Sequence, residues 1–120
     1  MGMDSTIVQK TRYDDALMEY SVSVQQAKQL IDAGALLLDV RTAEERKLAT
    51  IAKSVHIPIA DLPERWKEIP KNGITIVYCH TGVRSLFASI LLRRNGIDAH
   101  SMNGGIAAWS KEIDPEIPEY

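Results

Sequence analysis

Cysteine is nearly absent from this chain of 120 residues: Cys79 stands alone, so no internal disulfide can form and a reducing compartment suits the protein. A basic surplus is missing too. Fourteen Lys and Arg against sixteen Asp and Glu leave a formal charge of −2, which argues against a nucleic-acid partner and equally against an acidic disordered tail. No window approaches the roughly eighteen continuous apolar residues of a membrane span, and no basic segment leads into an apolar core near the start. No membrane partner or secretory signal is therefore expected, and a cytoplasmic location is the default. Met1-Gly2-Met3-Asp4-Ser5-Thr6 fits a loose N-myristoylation pattern, but no basic cluster supplies the second signal that stable anchoring needs. Paired His or Cys at ligand spacing are lacking, so no metal site is expected. There is no internal repeat, low-complexity tract or second domain.

What remains is ordinary for one globular domain, 45% apolar and 25% charged. Its organising stretch begins at Ile74-Thr75-Ile76-Val77-Tyr78, nearly all β-branched or aromatic, which reads as a strand buried on both faces. That strand delivers Cys79 to its end. A short loop containing Gly82 follows, and from Ser85 to Arg94 apolar residues at 86, 87, 90 and 91 predict a helix packed through that stripe. Backbone N–H groups of such a loop, with the positive end of the helix, converge on an anion at its mouth. With the Arg84 guanidinium five residues after Cys79, the setting favours a nucleophilic thiolate over a plain buried core thiol. A cation at a helix start is locally unfavourable, so Arg84 itself calls for a compensating anion, such as a thiolate or a bound oxyanion.

Taken in order, residues 1–20 read as an extension with weak helical periodicity, and residues 21–120 as the domain. Ser23-Val24-Gln25-Gln26 has capping-box form, with Gly34 ending the helix. Residues 35–40 form an apolar strand ending in Asp39 and Arg41, and Thr42-Ala43-Glu44-Glu45 is a second capping box. Residues 54–58 read as a short strand. Asp61 is expected to cap a helix carrying Pro63 in its first turn, with Leu62, Trp66 and Ile69 on one face. After the central strand and its helix, which ends at Gly96, residues 99–102 form a strand and 106–111 a last helix. Strands alternating with helices call for an α/β fold with a parallel sheet, and the site belongs at the carboxyl ends of its strands.

Cys79-His80-Thr81-Gly82-Val83-Arg84-Ser85 resembles the C-x-x-G-x-R-S loop of the rhodanese (sulfurtransferase) domain. Leu38-Asp39-Val40-Arg41 resembles the family's strand ending in D-V-R, and Gly104-Gly105-Ile106-Ala107-Ala108-Trp109 its G-G-x-x-x-W; the likeness spans about residues 21–109. It implies a three-layer α/β/α fold around a central, mostly parallel, five-stranded sheet. It further implies that Cys79 carries sulfur as a persulfide, taken from thiosulfate or another sulfane donor and passed to a thiol or cyanide, with a sulfur-relay protein as a possible partner and no cofactor. Arg84 would act with Cys79, while His80, Thr81, Gly82, Val83 and Ser85 would form the substrate loop. Asp39 and Arg41 would support that loop; read plainly, Arg41 could pair with Glu44 or Glu45. Where many members read E-G-H-I-P-G-A-x-N-I-P, residues 48–58 keep the length but lack both glycines, and Lys53 stands at the second of them.

Two rivals follow. Relatives of this fold with a C-x5-R loop are cysteine phosphatases or arsenate reductases, but here the arginine comes one residue earlier, making a smaller ring of N–H groups. Non-catalytic rhodanese-like binding modules usually lack the cysteine, which this chain has.

Overall fold

The computed structural model describes residues 12–120; the myristoylation-like start and the first part of the predicted extension lie outside the described residues. In chain order the elements are α1 (Arg12–Tyr20), β1 (Ser21–Val22), α2 (Val24–Asp32), β2 (Leu36–Asp39), α3 (Ala43–Leu48), β3 (Val55–His56), α4 (Leu62–Arg65), β4 (Ile74–Tyr78), α5 (Val83–Arg94), β5 (Asp98–Met102) and α6 (Gly105–Glu112). The five strands form one sheet in the order β1-β5-β4-β2-β3, and every neighbouring pair is parallel. No helix among the described residues is long and apolar enough to cross a membrane.

The period of two along the strands divides the core into layers. Leu38, Val77 and Cys79 face one side, packed with Leu62 of α4 and Leu92 of α5, while Leu37, Ile76 and Tyr78 face the other, packed with Ala27 of α2 and Trp109 of α6. Both faces of β4 are thus dry, and each fully buried aliphatic side chain contributes roughly 1.5–3 kcal/mol. Both capping boxes form as expected, Ser23 with Gln26 and Thr42 with Glu45.

Two expected details differ. Asp61 makes no side-chain cap: a 3-10 turn over Ile59–Asp61 runs directly into α4, so Asp61 has helical backbone (φ −93°, ψ −11°) and its carboxylate cannot fold back onto the first turn. The buried face of α5 is Ser85, Leu86, Ala88, Ser89 and Leu92, whereas Phe87 is exposed. Small residues let α5 lie close to the sheet, and their hydroxyls are satisfied locally, Ser89 Oγ donating to the Ser85 carbonyl at 2.8 Å and Ser85 Oγ meeting Ser101 Oγ at 2.7 Å. The loop at residues 48–58 keeps a glycine-like turn despite its altered sequence, since Lys53 sits at φ 67°.

Candidate active site around Cys79

Cys79 is the first residue beyond β4, at the carboxyl edge of the sheet, and it is 1% exposed. The chain turns sharply at Gly82, whose φ of 107° opens α5. The turn points two backbone donors at the sulfur: Gly82 N–H at 3.1 Å and Ser85 N–H at 3.3 Å. The second belongs to the first turn of α5, whose N–H groups have no partner within the helix. In the thiol state Sγ also donates to Ser85 Oγ at 3.4 Å. The sulfur is therefore held where negative charge is stabilised by fixed dipoles.

The loop is clamped from the side by α6. The N–H groups of Ile106 and Ala107 donate to the carbonyls of Cys79 and His80, at 2.9 and 3.1 Å. This approach is possible only because residue 105 has no side chain: a Cβ there would lie 2.3 Å from the His80 carbonyl oxygen and 2.5 Å from that of Cys79. The Gly-Gly of the third motif thus bears directly on the cysteine loop.

Arg84 reaches across to α3. Its two terminal nitrogens donate to Glu45 Oε1 and Oε2 at 2.6 and 2.9 Å, so the compensating anion is a carboxylate of the protein itself. The guanidinium still lies within electrostatic reach of Cys79. Hydrogen bonds from Arg84, then from the Tyr120 hydroxyl and the Thr42 N–H, hold the Glu45 carboxyl far below the usual carboxylate range, outweighing its partial burial.

Asp39 and Arg41 form a separate, fully buried fork: Arg41 Nε and Nη2 donate to the two oxygens of Asp39 at 2.9 and 2.8 Å. The expected pairing of Arg41 with the Glu44 or Glu45 side chain does not occur. Two residues apart at a strand end, Arg41 and Asp39 meet without spanning a helix turn, and Arg41 donates onward to the Ala49 carbonyl at 2.7 Å and to Tyr120 Oη at 2.9 Å. Burial pushes Asp39 upward, but bonding to Arg41 and Arg46 prevails and leaves its carboxyl below the ordinary range.

Of the remaining predicted residues, Gly82 and Ser85 are buried under the sulfur, Thr81 and Val83 stand exposed on the rim, and His80 is half-buried with its ring stacked on Tyr120 (centroids 4.1 Å apart, planes 15° apart). Sequence reasoning missed Tyr120 and Ser101 and did not pair Glu45 with Arg84. Glu45 was visible as a capping residue and as a possible partner of Arg41, not of Arg84, and Tyr120 carries no local signal. Among the described residues no group of three or more His, Cys, Asp or Glu could hold a metal ion.

Residues 23–112 match the family model described as "Rhodanese-like domain". The chain is 30% identical over 100 residues to "Putative sulfurtransferase YtwF" of Bacillus subtilis, covering 83% of this chain and 97% of that protein. It is 35% identical over 109 residues to "Adenylyltransferase and sulfurtransferase MOCS3-1" of Zea mays, covering 82% of this chain but spanning only 23% of that longer protein. Among solved structures, a rhodanese-related protein from Thermoplasma volcanium superposes with a TM-score of 0.75 at 32% identity, over 84% of this chain and 99% of that one.

Proposed function

We propose, since this chain belongs to the rhodanese-like domain family, that it is a sulfurtransferase working through a persulfide on Cys79, with residues 21–120 as the catalytic unit. The Cys79 thiolate attacks the outer sulfur of thiosulfate or a related sulfane donor; a new S–S bond forms to Cys79, the old bond breaks, and sulfite or the donor thiolate leaves with the electron pair. A thiolate or cyanide then attacks the outer persulfide sulfur, the Cys79 S–S bond breaks toward Cys79, and the thiolate is regenerated. No redox partner enters either step.

The observation that carries this reading is the pair of N–H groups, from Gly82 and Ser85, aimed at Sγ. They favour thiolate and persulfide alike, as oxyanion-hole donors favour developing charge. Arg84 is fixed beside the loop by Glu45, which offsets its charge, so stabilisation of the sulfur anion rests chiefly on the two N–H groups. A phosphatase reading is less well supported: the loop is one residue short, and the guanidinium that would grip a phosphate is already forked onto Glu45. A protein donor or acceptor fits the same chemistry, and the maize relative, named for two activities, suggests a relay partner. A reducing cytoplasmic setting would keep Cys79 available.

The test is intact mass after incubating reduced protein with thiosulfate. Gain of one sulfur atom, removed by cyanide, supports the reading. Cys79→Ser is expected to take up none while keeping the wild-type circular dichroism; sulfur transfer by that variant would overturn the mechanism.

A further inference from the structure

Cys79 is almost wholly covered, yet it is the reacting atom of the proposed transfer, so what stands over it governs which reactants arrive. Tyr120 touches both flanks of the mouth. Its ring lies on His80, the residue after the cysteine. Its hydroxyl donates to Glu45 Oε2 at 2.7 Å, the same carboxylate oxygen that takes Arg84 Nη2, and accepts from Arg41 Nη1 at 2.9 Å. Burial, with the Glu45 bond assisting, pushes the hydroxyl up to about 12, so it remains a donor across neutral and mildly alkaline pH.

The segment that brings Tyr120 there is tied at three points. Ser110 Oγ donates to the Ile117 carbonyl at 2.5 Å, the exposed Lys111 Nζ and Glu119 Oε1 form a long ion pair at 3.8 Å, and Tyr120 anchors the far end. Between the first and the last of these Pro118 and Glu119 are exposed, and a cavity of about 230 Å³, bordered by His80, Ile106, Lys111, Pro118 and Tyr120, separates the segment from α6. On the side of the cysteine loop the segment is held by the Tyr120 ring and hydroxyl, with open space between it and α6.

Resting on the persulfide reading, we propose that Tyr120 is a specificity-determining residue: its ring, anchored on Glu45 and Arg41, roofs the His80 side of the cysteine loop and admits small sulfur species to Cys79 in preference to bulky thiols. With the ring gone, the open mouth would merge with the adjoining cavity and take a reactant of glutathione size or larger.

The lone cysteine allows a test that does not require sulfur transfer. Alkylation of Cys79 is followed by mass for iodoacetamide and for a fluorescein-sized maleimide in wild type, Tyr120→Phe and Tyr120→Ala. The bulky-to-small rate ratio is expected to rise at least about fivefold in Tyr120→Ala, with Tyr120→Phe, which keeps the stacked ring and loses both hydrogen bonds, in between. The ratio of kcat/KM for glutathione over cyanide should move in the same direction. An unchanged alkylation ratio in Tyr120→Ala, or equal acceleration of both probes as in general loosening, would overturn the proposal. Absence of sulfur uptake by wild type would instead sink the sulfurtransferase reading and leave the alkylation result standing on its own.

Discussion

Asp39 and Arg41 are charged residues with 0% exposure at the end of a strand whose other residues are aliphatic. Such a pair does not create stability cheaply, because both ions lose their water; what makes it tolerable is that the fork is complete and the spare donors find Ala49, Tyr120 and the Glu45 carbonyl. Removing one partner leaves a buried charge unanswered. Asp39→Asn is therefore expected to lower unfolding stability by about 3–5 kcal/mol, read from urea denaturation. A loss below about 1 kcal/mol would mean that Arg41 finds another anion. This buried fork also fixes the outer end of Arg41, from which Tyr120 hangs, so a residue outside the sulfur's immediate surroundings helps determine its cover.

At the level of elements, the decisive contact is the meeting of the β4–α5 loop with the first turn of α6. Neither helix end carries a side-chain cap; instead α6 spends two of its free N–H groups on the Cys79 and His80 carbonyls. Gly105 is the residue that lets them meet. Gly105→Ala sets a methyl 2.3 Å from a backbone oxygen that cannot swing away, so α6 and the loop must separate. The expected outcome is a folded but destabilised protein, with loss of at least about 2 kcal/mol, in which sulfur uptake falls by an order of magnitude or more because the N–H groups no longer aim at Sγ. Wild-type uptake kinetics in that variant would show that the loop keeps its shape without α6.

For the molecule as a whole, the charged network predicts the pH range of stability. Asp39 and Glu45, with ordinary values of 3.8 and 4.5, are both lowered in the fold. Below about pH 4.5 the unfolded chain therefore binds more protons than the native one, and stability falls as pH drops toward the native values. Tyr78 and Tyr120 are raised above 10.0, Tyr120 to about 12, so there the native state holds protons longer and stability is lost as pH rises through that range. Thermal midpoints should form a plateau between about pH 5 and 9 with limbs on either side. Glu45→Gln should flatten the acid limb; an identical slope in that variant would remove Glu45 from the account.

Much of this was readable in the chain itself. Local signals determined the alternation of strands and helices: two capping boxes, β-branched runs and a cysteine at the exact boundary between strand and loop, because each depends on residues within a few positions of one another. The C-x-x-G-x-R-S loop could be named for the same reason. The stripe at 86, 87, 90 and 91 held for Leu86, which is fully buried, and in part for Leu91, which packs on the core, but not for Phe87: helical periodicity does not tell how near the sheet a helix lies, and small residues at 85, 88 and 89 extend the buried face away from Phe87. Lys53 held a turn that glycine usually makes, since its surroundings dictate the backbone. The partners of the charges were decided only by tertiary structure. Arg84 meets Glu45 across 39 positions and Arg41 meets Tyr120 across 79, and no spacing rule encodes such contacts. The sequence by itself determined where the cysteine sulfur stands; packing of α3, α6 and residues 117–120 around it determined what holds the loop, because those contacts exist only once distant segments share a space.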